Sequence, residues 1–181
     1  MKIKEFSDIR TGHAFRERLV NQPAGNVFVI QSKDIQADGT LEFSDKKPLR
    51  VNISSPKTLK QNDVLVVNRG RFAAAVFDFS SEESWIAPSS IMVLSIREES
   101  VLPEYIALYL NSPEGQKIFQ RHFEYSTIPF ISTNNIASMD IPIPPLNRQK
   151  ALVKYRKATR KYKFLTKRKY ELYNQILSHE L

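Results

Sequence analysis

The chain contains no cysteine, which excludes a disulfide scaffold, cysteine-based zinc sites and a thiol nucleophile. No apolar run approaches the roughly 20 residues that cross a bilayer, so no membrane segment is expected. The opening residues, Met1-Lys2-Ile3-Lys4-Glu5, are charged and lack an apolar signal core; the expected location is cytoplasmic. Motifs of common chemistries are missing as well. There is no Gly-rich cofactor loop with its ribose acid and no P-loop lysine motif. No Asn/Asp-Pro-Pro-aromatic motif of the amino-methyltransferase kind occurs, because Pro144-Pro145-Leu146 follows Ile143. His13, His122 and His179 stand far apart, without carboxylates at metal-ligand spacing. Asp38 with Asp45-Lys46-Lys47 is the nearest nuclease-like pattern, and Asp38-Gly39 is better explained as a turn. No catalytic residue, metal or cofactor is expected.

Glycine and proline are absent from Leu146 to Leu181. Just before that stretch, Ile141-Pro142-Ile143-Pro144-Pro145 holds the backbone extended, since each proline fixes its own φ and restricts its predecessor. Pro145 can open a helix, where the first N–H needs no partner. Ala151, Tyr155, Ala158, Tyr162, Leu165, Lys169, Leu172 and Ile176 then recur at alternating spacings of four and three. That is a heptad seam with one polar break at Lys169, and it predicts a long helix forming a coiled coil. At ~1.5 Å per residue the rod would run about 50 Å. Its stripe needs a cover: a second copy, another protein, or the chain's own globular part.

Acidic residues are nearly absent from the rod. From Leu146 onward there are eleven Lys/Arg and two acids, a net charge of +9, whereas residues 1–145 carry sixteen basic and seventeen acidic residues. The basic balance therefore belongs to the helix. Like charges four apart on a helix repel, so this density points to an anionic partner, either nucleic acid or an acidic protein surface. A solvated face is the plain alternative. Aromatics and Lys alternate around the rod, which argues against a membrane-surface helix.

Residues 1–145 read as a β-rich α+β unit. Strands are expected at Val27 to Ile30, around Val51 and Ile53, at Asp63 to Val67, from Phe72 to Phe79, near Ile86, and at Ile91 to Ile96. Asp38-Gly39 and Asn68-Arg69-Gly70-Arg71 are turns. Helices should open at Pro103 and at Pro113, the latter capped by Ser112, with Ile118, Phe119 and Phe123 inward and Lys117, Arg121 and His122 elsewhere. One helical turn is expected near Asn134 to Ala137. Phe72, Phe77, Phe79, Trp85 and Phe130 are assigned to the core rather than to base stacking.

Several of these segments together carry a family likeness. Leu59-Lys60-Gln61-Asn62-Asp63-Val64-Leu65-Val66 with Gly70, Leu102-Pro103-Glu104-Tyr105-Ile106, and Asn111-Ser112-Pro113-Glu114-Gly115 resemble specificity subunits of Type I restriction–modification systems. Ser126-Thr127-Ile128-Pro129, then Ile136 through Leu146 and Gln149, are similar to the segment that closes a target recognition domain there and enters a long helix. The likeness covers about residues 59–150 well. It implies a target recognition domain at 1–145 and a helix at 146–181 for dimerisation, spacing and partner docking. Family members typically carry two of each, so this chain looks like a half subunit, expected to pair as a homodimer on a palindromic, interrupted target.

The resemblance implies sequence reading without catalysis, with double-stranded DNA, methyltransferase (modification) subunits and a restriction subunit as partners. Reading needs Arg/Lys toward guanine, Asn/Gln toward adenine, and phosphate contacts that fix register. Four basic patches are candidates: Arg10, His13, Arg16 and Arg18; Lys46, Lys47 and Arg50; Arg69 and Arg71; Lys117 and Arg121. The first and third are favoured, because Gly12 and Gly70 would let the backbone approach DNA. Glu82, Glu83, Glu98 and Glu99 are candidates for the far side. For the rod, the candidate interface is Ala151, Tyr155, Ala158, Tyr162, Leu165, Leu172 and Ile176. Binding to an acidic protein through the rod alone is the competing reading.

Overall fold

The structure, a computed structural model, describes residues 1–43, 47–79, 83–122 and 128–179. Asp45, Lys46, Glu82, Phe123, Ser126 and Thr127 lie outside the described residues. In chain order the elements are α1 (Ile3–Phe6), β1 (Ser7–Thr11), β2 (Val27–Val29), a 3-10 turn (Ser32–Asp34), β3 (Leu49–Val51), β4 (Val64–Val67), β5 (Ala74–Val76), β6 (Ser84–Ile86), β7 (Ile91–Ile96), α2 (Pro103–Leu110), α3 (Pro113–Arg121), α4 (Thr133–Ser138) and α5 (Leu146–His179). This is the expected α+β arrangement, with a long terminal helix.

The central sheet runs β1-β7-β4-β5, antiparallel throughout. Side chains alternate across a strand, so the continuous apolar runs of β4 and β7 supply two cores at once. Val64, Val66, Met92 and Leu94 face the helices; Leu65, Val67, Ile91 and Val93 face the second sheet. On the helical side, Ile106, Leu110, Phe119, Ile136 and Met139 close the core. Ser112 and Ser132 cap α3 and α4, their hydroxyls accepting from Gly115 N and Asn135 N. The chain's first residues are built into this side: Ile3 N donates to Met139 O, and Ile141 N donates to Met1 O.

The second sheet runs β3-β2-β6, with β2 antiparallel to β3 and parallel to β6. Its exposed edge, β3, is occupied by side-chain amides. Arg50 N and Asn52 N donate to Asn21 Oδ1 and Gln22 Oε1 at 3.0 and 2.9 Å, while on the β2 side Ile53 N donates to Asn26 Oδ1 at 2.9 Å. The first two satisfy an edge that would otherwise template another strand, and all three staple the long β1–β2 connection in place. Trp85 stacks on Phe28 and Phe79 between the sheets.

Local departures from the expected elements have local causes. Of the Phe72 to Phe79 run, Ala74–Val76 form the strand; Phe77 still donates to Asp63 O and accepts from Asn62 N, while the rings serve packing, Phe72 stacked on Phe119 at 5.0 Å and Phe77 in the Trp85 cluster. Ile53 falls outside β3, its N–H taken by Asn26. β1 was not expected. It holds Ser7, Asp8, Arg10 and Thr11 around one aliphatic residue, and its order comes from pairing with β7. Gly12 serves packing: a Cβ there would lie 2.2 Å from Pro88 O.

Candidate nucleic-acid interface

The 13–26 connection is the surface feature these constraints produce. Phe15 and Leu19 anchor it on the small core of Val27, Val29, Val51 and Ile86. With those two side chains turned inward, Arg16, Glu17, Arg18 and Val20 are turned out and exposed. The result is a ridge with two clefts opening along it. One, about 640 Å³, is lined by Arg18, Asn21, Gln31, Lys33 and Lys47 over an apolar floor that includes Phe43 and Leu49. The other, about 620 Å³, is lined by His13, Arg16, Glu17, Val20 and Gln22 against residues 51–55.

Patches far apart in sequence therefore meet. Arg18 and Lys47 share a cleft with Lys33 of the 3-10 turn, and Arg71 reaches the back of the same turn, donating to Ser32 O at 2.8 Å and to Ile35 O. Asn21, Gln31 and Lys33 were not among the sequence-derived candidates. An amide-and-lysine cluster next to a predicted strand end is the signal that would have flagged them.

Other candidates are held by the body of the protein. Arg10 donates to Thr58 O at 2.8 Å and pairs with the buried Asp63 at 3.3 Å. Asp63 also accepts from Lys60 N and Ser95 Oγ, so this arginine ties β1 to the turn before β4. The Arg50 guanidinium lies over the Phe28 ring at 4.4 Å. Arg69 lies 5.9 Å from the Phe130 ring centroid, beside Gly70, whose left-handed φ of +78° makes the turn. Lys117 and Arg121 project from α3 on the helical side of the central sheet. Glu98 and Glu99 follow β7 at the end of the central sheet opposite Gly12, since Ser7 pairs with Ile96 and Thr11 with Met92.

The rod leaves the body through a fixed foot. Gln149 is fully buried; its amide accepts from Leu102 N and donates to Ser100 O and Pro144 O. Tyr105 Oη donates to Pro142 O at 2.7 Å. Burial pushes this phenol's pKa up, nearby Tyr109 adds to the shift and Arg148 opposes it, so the group stays a donor. Val153 packs on the helical core, and Lys157 lies 3.8 Å from Glu104. Arg156 and Arg160 face the Asp38-Gly39 turn across a small cavity of about 130 Å³. Burial raises the Asp38 carboxyl, but hydrogen bonds from Thr40 and the charges of Arg160 and Arg156 outweigh it and hold it below the ordinary value.

At 3.6 residues per turn, Gln149, Val153, Arg156 and Arg160 lie on one side of α5 and the heptad seam lies on the other. Ala151, Tyr155, Ala158, Tyr162, Leu165, Leu172 and Ile176 are all exposed, Tyr155 at 73% and Tyr162 at 72%. Lys169, the break in the seam, sits 5.5 Å from the Tyr173 ring. The body of the protein thus covers the foot of the rod but not its stripe. Among the described residues no helix is long and apolar enough to cross a membrane, and no His/Asp/Glu group could hold a metal ion.

The family profile described as Type I restriction modification DNA specificity domain matches residues 1–172. No curated protein matches the chain. Among solved structures, one reported for complex assembly and conformational transition of the type I R-M system is similar, with a TM-score of 0.70 and 20% identity over 93% of this chain and 39% of that one. The HsdS subunit from Thermoanaerobacter tengcongensis is similar at TM-score 0.65 and 19% identity, over 93% and 38% of the two chains. A Type-I restriction-modification S subunit from M. genitalium gives 0.57 and 16%, over 86% and 37%. The chain thus spans less than two-fifths of the length of these structures.

Proposed function

The chain belongs to the family of type I restriction–modification DNA specificity domains, and from that premise we propose that it reads one half of a bipartite DNA target and positions methyltransferase and restriction subunits on it. Specificity subunits of these systems are non-catalytic. The observation that carries the reading is the family match over residues 1–172; the ridge between two clefts supports it. A projecting loop suits a major groove about 12 Å wide, with Arg18 and Lys47 placed for the phosphates that fix register. In this reading residues 1–145 are the recognition domain, residues 146–181 are the dimerisation and docking helix, and the protein works in the cytoplasm.

The rod supplies the second element. Its 34 residues span about 51 Å, roughly one and a half duplex turns at ~34 Å each. Two copies joined along their exposed seams would hold two identical readers apart over an unspecified gap. The test is selection of bound duplexes from a random pool by the purified chain. Recovery of two short inverted motifs at constant spacing is expected; recovery of unrelated sequences would refute sequence reading.

One observation favours a second reading of the rod. Its seam is flanked on one side by Lys154, Lys161 and Arg168 and on the other by the uncharged Leu152, Thr159, Thr166 and Tyr173. An antiparallel self-pair sets the basic flank against itself, whereas flanking charges normally pair across a coiled coil. An acidic helix of another protein would satisfy the basic flank. Sedimentation against salt separates the two: a self-pair strengthens as salt screens the repulsion, and an acidic heteropartner dissociates.

A further inference from the structure

Glu17 stands out on the ridge. It is exposed between exposed Arg16 and Arg18, and among the described residues it has neither an ion pair nor a side-chain hydrogen bond. Among the described residues the only other acid lining either cleft is Asp34, which is buried and accepts from Gln31 N at 2.8 Å. An unpaired carboxylate on a phosphate-facing surface is repelled by the duplex at any base sequence. That cost is offset only where the carboxylate meets a donor, and the donors that DNA presents in the major groove are the exocyclic amino groups of the bases.

We infer that Glu17 is a specificity-determining residue, accepting a hydrogen bond from a cytosine N4 amino group while Arg16 and Arg18 take guanine edges or phosphates beside it. A carboxylate has acceptors and no donor, so it rejects the major-groove faces of guanine and thymine, which offer only acceptors or a methyl group. The anchoring of Phe15 and Leu19 and the amide staples at Asn21, Gln22 and Asn26 hold the loop that carries it. Such a site limits binding to unrelated DNA and admits the correct half-site.

This inference rests on the ridge being the DNA face, and the experiment separates the two claims. The full chain and its E17A, E17Q and R18A variants are put through random-pool selection, and their affinity for an unrelated duplex is measured at two salt concentrations. E17A should lose its cytosine preference at one position, a discrimination of roughly tenfold, keep the other positions, and bind unrelated DNA several-fold more tightly. E17Q should shift that position from cytosine toward adenine, which a side-chain amide reads. If E17A selects the same sequences with unchanged affinity for unrelated DNA while R18A weakens binding, the Glu17 assignment is overturned and the ridge stands. If R18A also binds as the parent does, the ridge reading falls with it.

Discussion

Gln149 Oε1 accepts a hydrogen bond from Leu102 N at 2.9 Å, joining the first turn of the long helix to the turn that opens α2 across 47 positions of sequence. The same amide donates to Ser100 O and Pro144 O, each at 2.8 Å. One side chain therefore closes three backbone groups at the junction of body and rod. Replacing Gln149 by Ala leaves them unpaired where the residue is fully buried, and each orphaned group costs about 1–3 kcal/mol. A loss of about 2–4 kcal/mol in denaturant unfolding is expected. An unchanged midpoint would mean that water replaces the amide and the junction is looser than its geometry implies.

The Asp38 turn gives a pH signature at the foot of the rod. Its carboxyl is held below the ordinary value by the Thr40 hydrogen bonds and by Arg160 and Arg156, against the opposing effect of burial. A depressed folded-state value contributes stability above the unfolded pKa, and that stability is lost as pH falls through the folded one. D38N should therefore be slightly less stable than the parent at pH 6 in low salt, and the two should converge once the pH has fallen through the folded carboxyl's depressed value. The site is exposed, so the difference is small and should shrink as salt is added. A gap that persists at acid pH would assign the effect to the turn geometry rather than to charge.

On the exposed seam, changing Tyr155, Tyr162 and Leu165 to Asp should abolish self-association in sedimentation velocity and leave the body's unfolding transition in place, because none of the three contacts the body. Unaltered mass in the variant, with the parent dimeric, would move the interface off the seam.

Rod length should set target spacing. Inserting one heptad after Leu165 adds about 10.5 Å, close to three base pairs of duplex at ~3.4 Å each. The selected motifs should keep their bases and move apart. Altered bases at unaltered spacing would end the ruler interpretation.

In the cleft, K47A should weaken binding to all duplexes alike and lower the slope of log K against log salt by about one. A change confined to one base position would instead make Lys47 a reader of bases.

The strands of the two cores and the helix starts at Pro103 and Pro113 were legible because each rests on neighbouring residues: an unbroken apolar run, a serine cap, a proline at the first helical position. The rod was legible for the same reason, its period of 3.5 being written along one segment. Which basic residues remain available was not legible. Arg10 and Arg18 look alike in sequence, yet one is tied to Asp63 and Thr58 from 53 and 48 positions away and the other projects from a loop anchored by Phe15 and Leu19. Sequence alone specified the composition of the surface and the period of the stripe, since both are properties of adjacent residues. Tertiary structure decided which charges were left unpaired, that Lys33 and Gln31 would join Arg18 in one cleft, and that the stripe would face away from the body, because those outcomes depend on contacts between segments that only the folded chain brings together.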